Sequence, residues 1–368
     1  MSTSSEAITV DAFSPAELTA HQGVWLRSRK WDLTFLILSA VLVPIPLLLF
    51  HGLGMSQMAV NVVVAAVVGG PHLYSTFTYT VMEPNYRRHH ARFLLGSLLM
   101  PIAVIALAFT SMQILLTIFY TWASIHVLHQ ITYINDCYAA KAPVVRRFRD
   151  KLIDYGVVFT CLYPLAVPQI LDRRFQLGDM QLYVPEWATQ GFVADAQIFG
   201  AFAIFLSFFA LWLNKNVRQW QAGELNLPSV LLISLTIFVG FTLPLMPNID
   251  VAFQGFNAWH SIQYLALIWF LGAMRKERGE LGNGLVGGAN GWDRPLAFYG
   301  LCLAITVCAG LAVVAIHTIT GLDWQKSYYV VILSTLLQHY YLDHLQFTKL
   351  GDALGHGDRL IAPEPARS

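Results

Sequence analysis

Charge is scarce in this chain. Of its 368 residues 12% are Asp, Glu, Lys or Arg while 56% are hydrophobic, a balance that a soluble domain of this length seldom carries. No surplus of either sign makes up for it: the formal charge is +1 at pH 7, which leaves no basic field to hold nucleic acid. The basic clusters Arg27-Ser28-Arg29-Lys30 and Arg146-Arg147-Phe148-Arg149 fall where topology signals belong and read as membrane anchors. Cysteine is nearly absent as well. Cys137, Cys161, Cys302 and Cys308 form no CxxC pair and sit in or at the end of apolar segments, which argues against a disulfide framework and a thiolate metal site and for reduced, structural thiols. Residues 1–26 lack the apolar core of a cleavable signal, so the first apolar segment is expected to persist in the mature protein. No internal repeat is apparent.

What the chain has in abundance is apolar runs of about 20 residues, the length that crosses a bilayer as a helix. They fall near 32–51, 58–80, 93–110, 113–133, 152–171, 194–213, 228–246, 251–272, 296–318 and 327–347. The expected fold is therefore all-α: a polytopic integral membrane helix bundle of about ten transmembrane helices. The connections assigned to the cytoplasm hold every Lys and Arg except Arg173, Arg174 and Lys326, and this positive-inside bias puts both termini in the cytoplasm. Three regions follow: a cytoplasmic N-terminal segment 1–31, a transmembrane helical domain 32–348, and a cytoplasmic tail 349–368 expected to be disordered. The expected location is a bacterial inner (cytoplasmic) membrane.

Two connections are long. The external one, 172–193, carries Tyr183, Trp187 and Phe192 and reads as a lid or surface helix at the interface. The cytoplasmic one contains Gly282-x-Gly284-x-x-Gly287, a literal dinucleotide fingerprint without the strand or βαβ unit that makes those glycines useful. It reads as a flexible linker.

Against this apolar background the histidines stand out. His72, His126, His129, His260, His339 and His344 fall at similar depth on the second, fourth, eighth and tenth helices, in a band on the order of 12 Å at 1.5 Å per residue. Ionisable side chains in hydrocarbon are costly and face a bundle interior or cavity. Helical spacing sorts their neighbours onto shared faces: His126, His129, Gln130 and Tyr133; Asn257, His260, Gln263 and Tyr264; His339 and Asp343; His72 with Ser75, Thr76 and Tyr79. Gly69-Gly70-Pro71 is expected to loosen the helix at His72. A lone transmembrane histidine commonly makes a helix-to-helix hydrogen bond worth about 1 kcal/mol, but six in one layer point to a shared task. Imidazole donors without thiolate suit iron, copper or zinc, and non-haem iron, one or two ions, is the favoured cofactor. His72, His129, His260 and His339 are the expected first ligands, His126 and His344 further ligands or their supports. Asp343, as an orienting carboxylate, and Tyr264 are the candidate catalytic side chains. His89 and His90 read as solvated rim residues, whose addition would make a two-metal site feasible.

This pattern, His72, His126-x-x-His129, His260 and His339-x-x-x-Asp343-His344, resembles membrane-embedded iron enzymes whose histidine ligands are spread over several transmembrane helices. The Brp/Blh carotene dioxygenases belong to that class, and more distantly the histidine-box desaturases and hydroxylases. The latter carry HxxxH and HxxHH boxes in cytoplasmic segments, whereas HxxH occurs once here, followed by Gln130, and most of the histidines are buried in the layer. The resemblance implies oxygen chemistry on a lipid-soluble substrate such as a carotenoid, isoprenoid or fatty chain, with O2 as co-substrate and either no external electrons or a separate reductase. The alternatives are a b-type haem oxidoreductase and a proton or metal transporter.

Overall fold

A long apolar stretch satisfies its backbone only by winding into a helix, and the computed structural model, which describes residues 25–142, 144–177, 180–246, 248–282 and 284–348, is helical almost throughout. The long helices are α1 (Arg29–Gly52), α2 (Gln57–Tyr79), α3 (Ala91–Thr110), α4 (Met112–Lys141), α5 (Phe148–Leu171), α6 (Gly191–Gln221), α7 (Leu227–Leu245), α8 (Ile249–Glu277), α9 (Pro295–Thr320) and α10 (324–348). Eight of them are long and apolar enough to cross a membrane. The other two, α8 and α10, owe their lower hydropathy to the polar groups at Asn257, His260, Gln263, Gln338, His339, Asp343 and His344.

The helices alternate in direction between two faces. On one face Lys141 donates to the carbonyls of Trp25, at 3.2 Å, and Leu26, and Asn226 donates to Tyr138 at 3.0 Å. There too the Arg27 guanidinium lies 4.7–5.7 Å from the rings of Trp31, Trp269 and Trp292. Opposite, Gln57 donates to Asp250 and Gln113 to Gln181 at 3.2 Å. The helices α2, α4, α8 and α10 thus all run toward the basic face. Of the N-terminal segment, residues 25–28 are clasped onto the bundle, with the Leu26 and Arg27 amides donating to buried Asp32 at 2.6 and 3.1 Å. Residues 1–24 and the tail 349–368 lie outside the described residues.

Several helices run past the apolar windows that flag them. Thus α4 continues to Lys141, α5 starts at Phe148 and α6 reaches Gln221, because their polar ends bond to one another. Arg146 pairs with Asp136 and, at 3.5 Å, with Asp154. Buried Lys215 pairs with Asp154, and Lys151 and Tyr155 donate to Asp136 at 2.8 and 2.9 Å. Arg146 and Arg27 are therefore built into the fold as well as marking its basic face.

Both long connections depart from expectation. The stretch 172–193 is not a surface helix: it holds a two-residue hairpin, Gln176–Leu177 against Met180–Gln181, and a short turn at Glu186–Ala188. The Phe175 ring packs edge-on to Tyr120 at 4.9 Å. The glycine-rich connection is not a flexible linker. It winds into a short helix, Leu285–Ala289, tied down by Lys276 to Asn290, Trp269 to Gly291 and Arg294 to Gly288. Gly287 lies so close to the Gly282 carbonyl that a Cβ would sit 1.8 Å from it. Among the described residues no strand leads directly into this connection, and Gly287 serves close packing while Gly282 and Gly284 have open space at the Cβ position. The four cysteines are free.

Proline and glycine set the shapes of the helices that hold the polar layer. Pro44 and Pro46 cannot donate backbone hydrogen bonds, and around them α1 passes through π- and 3-10-wound turns. Likewise α2 is π-wound over Ala65–Gly69 just ahead of Pro71. The Val67 carbonyl, deprived of the amide that Pro71 lacks, accepts instead from Tyr299 of α9 at 2.6 Å. The expected loosening at Gly69-Gly70-Pro71 is thus present. Gly255 of α8 meets α1 backbone to backbone, where a Cβ would fall 1.9 Å from the Val43 carbonyl oxygen, a small-residue contact of the kind membrane helices use. Gly255→Ala should therefore cost roughly 1–3 kcal/mol in detergent unfolding, since backbone cannot yield as a side-chain tip does. Gly310→Ala, with open space at its Cβ, should be neutral or slightly stabilising. Equal stabilities for the two variants would contradict the contact.

Candidate metal centre

Four helices each deliver one imidazole to the same point. His72 stands one residue after the α2 proline, His126 at mid-length of α4, His260 on the inner face of α8 and His339 on that of α10, and all four are buried. One nitrogen from each lies within 4.8 Å of the others. The rings make edge contacts: His72 is 4.6 Å from both His260 and His339, and His126 is 5.2 Å from His260 and 4.9 Å from His339. Tyr340 stacks on His126 at 4.2 Å. The α8 side is held by amides: Gln130 donates to the His260 carbonyl at 3.1 Å and to Gln263 at 3.2 Å, and Gln263 donates to the Leu36 carbonyl in the π-wound part of α1 at 2.5 Å.

Behind His339 sits a carboxylate with its own donors. Asp343, one turn further along α10, accepts at Oδ1 from Tyr264 at 2.6 Å and from Thr76 at 2.9 Å. Thr76 Oγ1 is also 2.6 Å from His339 Nδ1. The Thr76 hydroxyl is also 2.6 Å from that of Tyr264, so it links His339, Asp343 and Tyr264. Nε2 of His339 is 3.1 Å from His72 Nε2. Asp343 Oδ2, 3.4 Å from His339 Nδ1 and 3.8 Å from His126 Nε2, has no hydrogen-bond partner, and neither do Nδ1 of His72 and Nδ1 of His260.

Buried polar atoms left without partners are costly, and a cation at the point where one nitrogen of each ring converges would take up the lone pairs of those four nitrogens. Nitrogens about 2.1 Å from an ion stand roughly 3.4 Å apart in a tetrahedron and roughly 4.2 Å apart when opposed. Ring shifts of about 1 Å would then complete the set. The all-nitrogen donors and an adjacent carboxylate fit a transition-metal ion.

The structure brings His72, His126, His260, His339, Asp343 and Tyr264 together, and it sets His129 and His344, also expected near the metal, apart from the four imidazoles. Three residues along a helix turn the side chain by about 300°, which puts half-buried His129 on the flank of α4 toward Phe159, at 6.4 Å. Five residues turn it by about 500°, so exposed His344 leaves the face of His339 and approaches His129, ring to ring at 5.7 Å. His89 donates from Nδ1 to the Asn85 carbonyl (2.7 Å) and His90 packs on Tyr86 (4.5 Å); both stand apart from the four. The contribution of Thr76 was not foreseen beyond its place on the face of His72. Its signal in the sequence is the four-residue spacing His72-x-x-x-Thr76, which cannot by itself say that a second helix reaches the hydroxyl.

No protein-family model, curated protein or solved structure matches the chain. The site is thus read from its own chemistry.

Removing the hydroxyl that bonds His339 Nδ1 should release that ring. Loss of such a supporting hydrogen bond commonly costs about 10–100-fold in metal affinity, so Thr76→Val should weaken metal binding by that factor in a chelator-competition titration. Thr76→Ser, which keeps the hydroxyl, should stay within about threefold of the parent. Wild-type affinity in Thr76→Val would remove Thr76 from the site.

Proposed function

We propose that this integral membrane protein is a non-haem iron oxygenase acting on a long apolar substrate, with one iron ion held by His72, His126, His260 and His339. The observation that carries this reading is the convergence of four buried imidazoles from four helices on one point. Bound there, iron would supply O2 activation. The chain's own residues supply everything else. Thr76 and Asp343 orient His339, and the Asp343 carboxylate offsets charge that a divalent ion on four neutral imidazoles would bring into an apolar layer. Tyr340, stacked on His126, and the surrounding apolar helices exclude water. A site at this depth is reached from the lipid phase, which suits a carotenoid, isoprenoid or fatty chain, and the arrangement is the one a Brp/Blh-like centre would have.

The same reading takes all ten long helices as spans. The helices α8 and α10 are too polar to be flagged by composition, but they alternate in direction with their neighbours, and the basic face carries the Lys and Arg excess of a cytoplasmic side. Both termini then lie in the cytoplasm. A haem is disfavoured, because a macrocycle between any two of these imidazoles would have to occupy the space that the other two fill.

Purified protein should contain close to one iron per chain and show no Soret band. Alanine at His72, His126, His260 or His339 should remove the iron, while His129→Ala and His344→Ala should keep it. Full iron content in His126→Ala, or a Soret band in the parent, would overturn the assignment.

A further inference from the structure

Tyr264 is an odd companion for such a site if its task is only to fill space. Its ring is fully buried and packs edge-on against His72 at 4.6 Å and His339 at 5.6 Å. Its hydroxyl donates at 2.6 Å to the carboxylate of Asp343. A phenol in an apolar interior cannot lose an electron and keep its proton without creating an unpaired cation in a medium that solvates it poorly. It can lose both if an acceptor already holds the hydrogen bond. Asp343 is that acceptor.

We propose that Tyr264 is a redox-active residue of the site, with Asp343 as its proton acceptor. This rests on the oxygenase reading and deepens it. In the forward step Tyr264 gives one electron to O2 undergoing reduction at the four-imidazole site. Its O–H bond breaks, an O–H bond forms on Asp343, and a neutral tyrosyl radical is left. In the return step a one-electron donor, such as a reduced flavin or iron–sulfur protein, reduces the radical. The proton then goes back from Asp343 to Tyr264.

The test is freeze-quench electron paramagnetic resonance on the full-length, iron-loaded, reduced protein after mixing with O2. A tyrosyl signal is expected, with hyperfine structure that narrows when ring-deuterated tyrosine is incorporated, at least about tenfold weaker in Tyr264→Phe. If Tyr264→Phe fails to fold, the microwave-power saturation of the parent signal decides instead, because a radical in ring contact with two iron ligands relaxes fast. Iron binding and O2 consumption with no tyrosyl signal overturn this proposal alone. So does a signal undiminished in Tyr264→Phe, one lost only in Tyr340→Phe, or one that saturates like an isolated radical. A protein that takes up no iron overturns the oxygenase reading and this proposal with it.

Discussion

Inside a helix bundle surrounded by hydrocarbon there is no water to satisfy a stray imidazole nitrogen or carboxylate oxygen, so each must find its partner on another helix. That constraint organises the centre of this protein. Gln130 and Gln263 spend their amides on the His260 and Leu36 carbonyls, Tyr299 takes the carbonyl that Pro71 frees, and Thr76 joins His339 to Asp343. Among the described residues, nitrogens of His72 and His260 and one oxygen of Asp343 are left without hydrogen-bond partners around the four imidazoles, and other buried atoms, such as those of Asn61, Trp212 and Trp259, lack partners elsewhere in the bundle.

The helix irregularities serve the same end. A straight α2 would carry Tyr299's acceptor and His72 in a different register. Its π-wound turn and Pro71 set the ring of His72 against those of His260 and His339. Gly255 brings α8 into backbone contact with α1, which fixes the depth of His260 five residues on. At the basic face the network of Asp136, Arg146, Asp154 and Lys215 ties the ends of α4, α5 and α6, so that α4 presents His126 from a firmly held helix. Irregular winding thus lies in α1, α2 and α10, whereas α6 and α9 are largely exposed, as lipid-facing helices are.

Much of this was legible in the residues alone. Runs of about 20 apolar residues mark the helices because burial in lipid leaves few alternatives, and the shared depth of the histidines follows from the 1.5 Å rise. Helix ends were underestimated where polar residues extend them, as at Asp136 to Lys141, since hydropathy registers the apolar middle and is blind to ion pairs between neighbours. The choice between His126 and His129 was not legible. Both lie on a plausible polar stripe, and only the rotation of α4 against α8 and α10 decides which one faces inward. The same holds for His344, which sits next to Asp343 in sequence and on another side of the helix in space. Thr76 shows the limit most plainly: a threonine among buried residues acquires a role only when α10 brings His339 and Asp343 to it. The glycine-rich connection errs the other way, since a composition typical of flexible linkers proves compatible with tight packing when backbone donors and acceptors, here Trp269, Lys276 and Arg294, hold it down.

The central claim is that one metal ion is bound by four imidazoles drawn from four helices, and X-ray absorption at the iron edge of the purified protein tests it most directly. A four-imidazole centre gives a first shell of nitrogen or oxygen at about 2.1 Å, outer-shell scattering that fits four imidazole rings, and no metal–metal vector. A spectrum that fits two or fewer imidazoles, or one that requires sulfur or a second metal nearby, would contradict it.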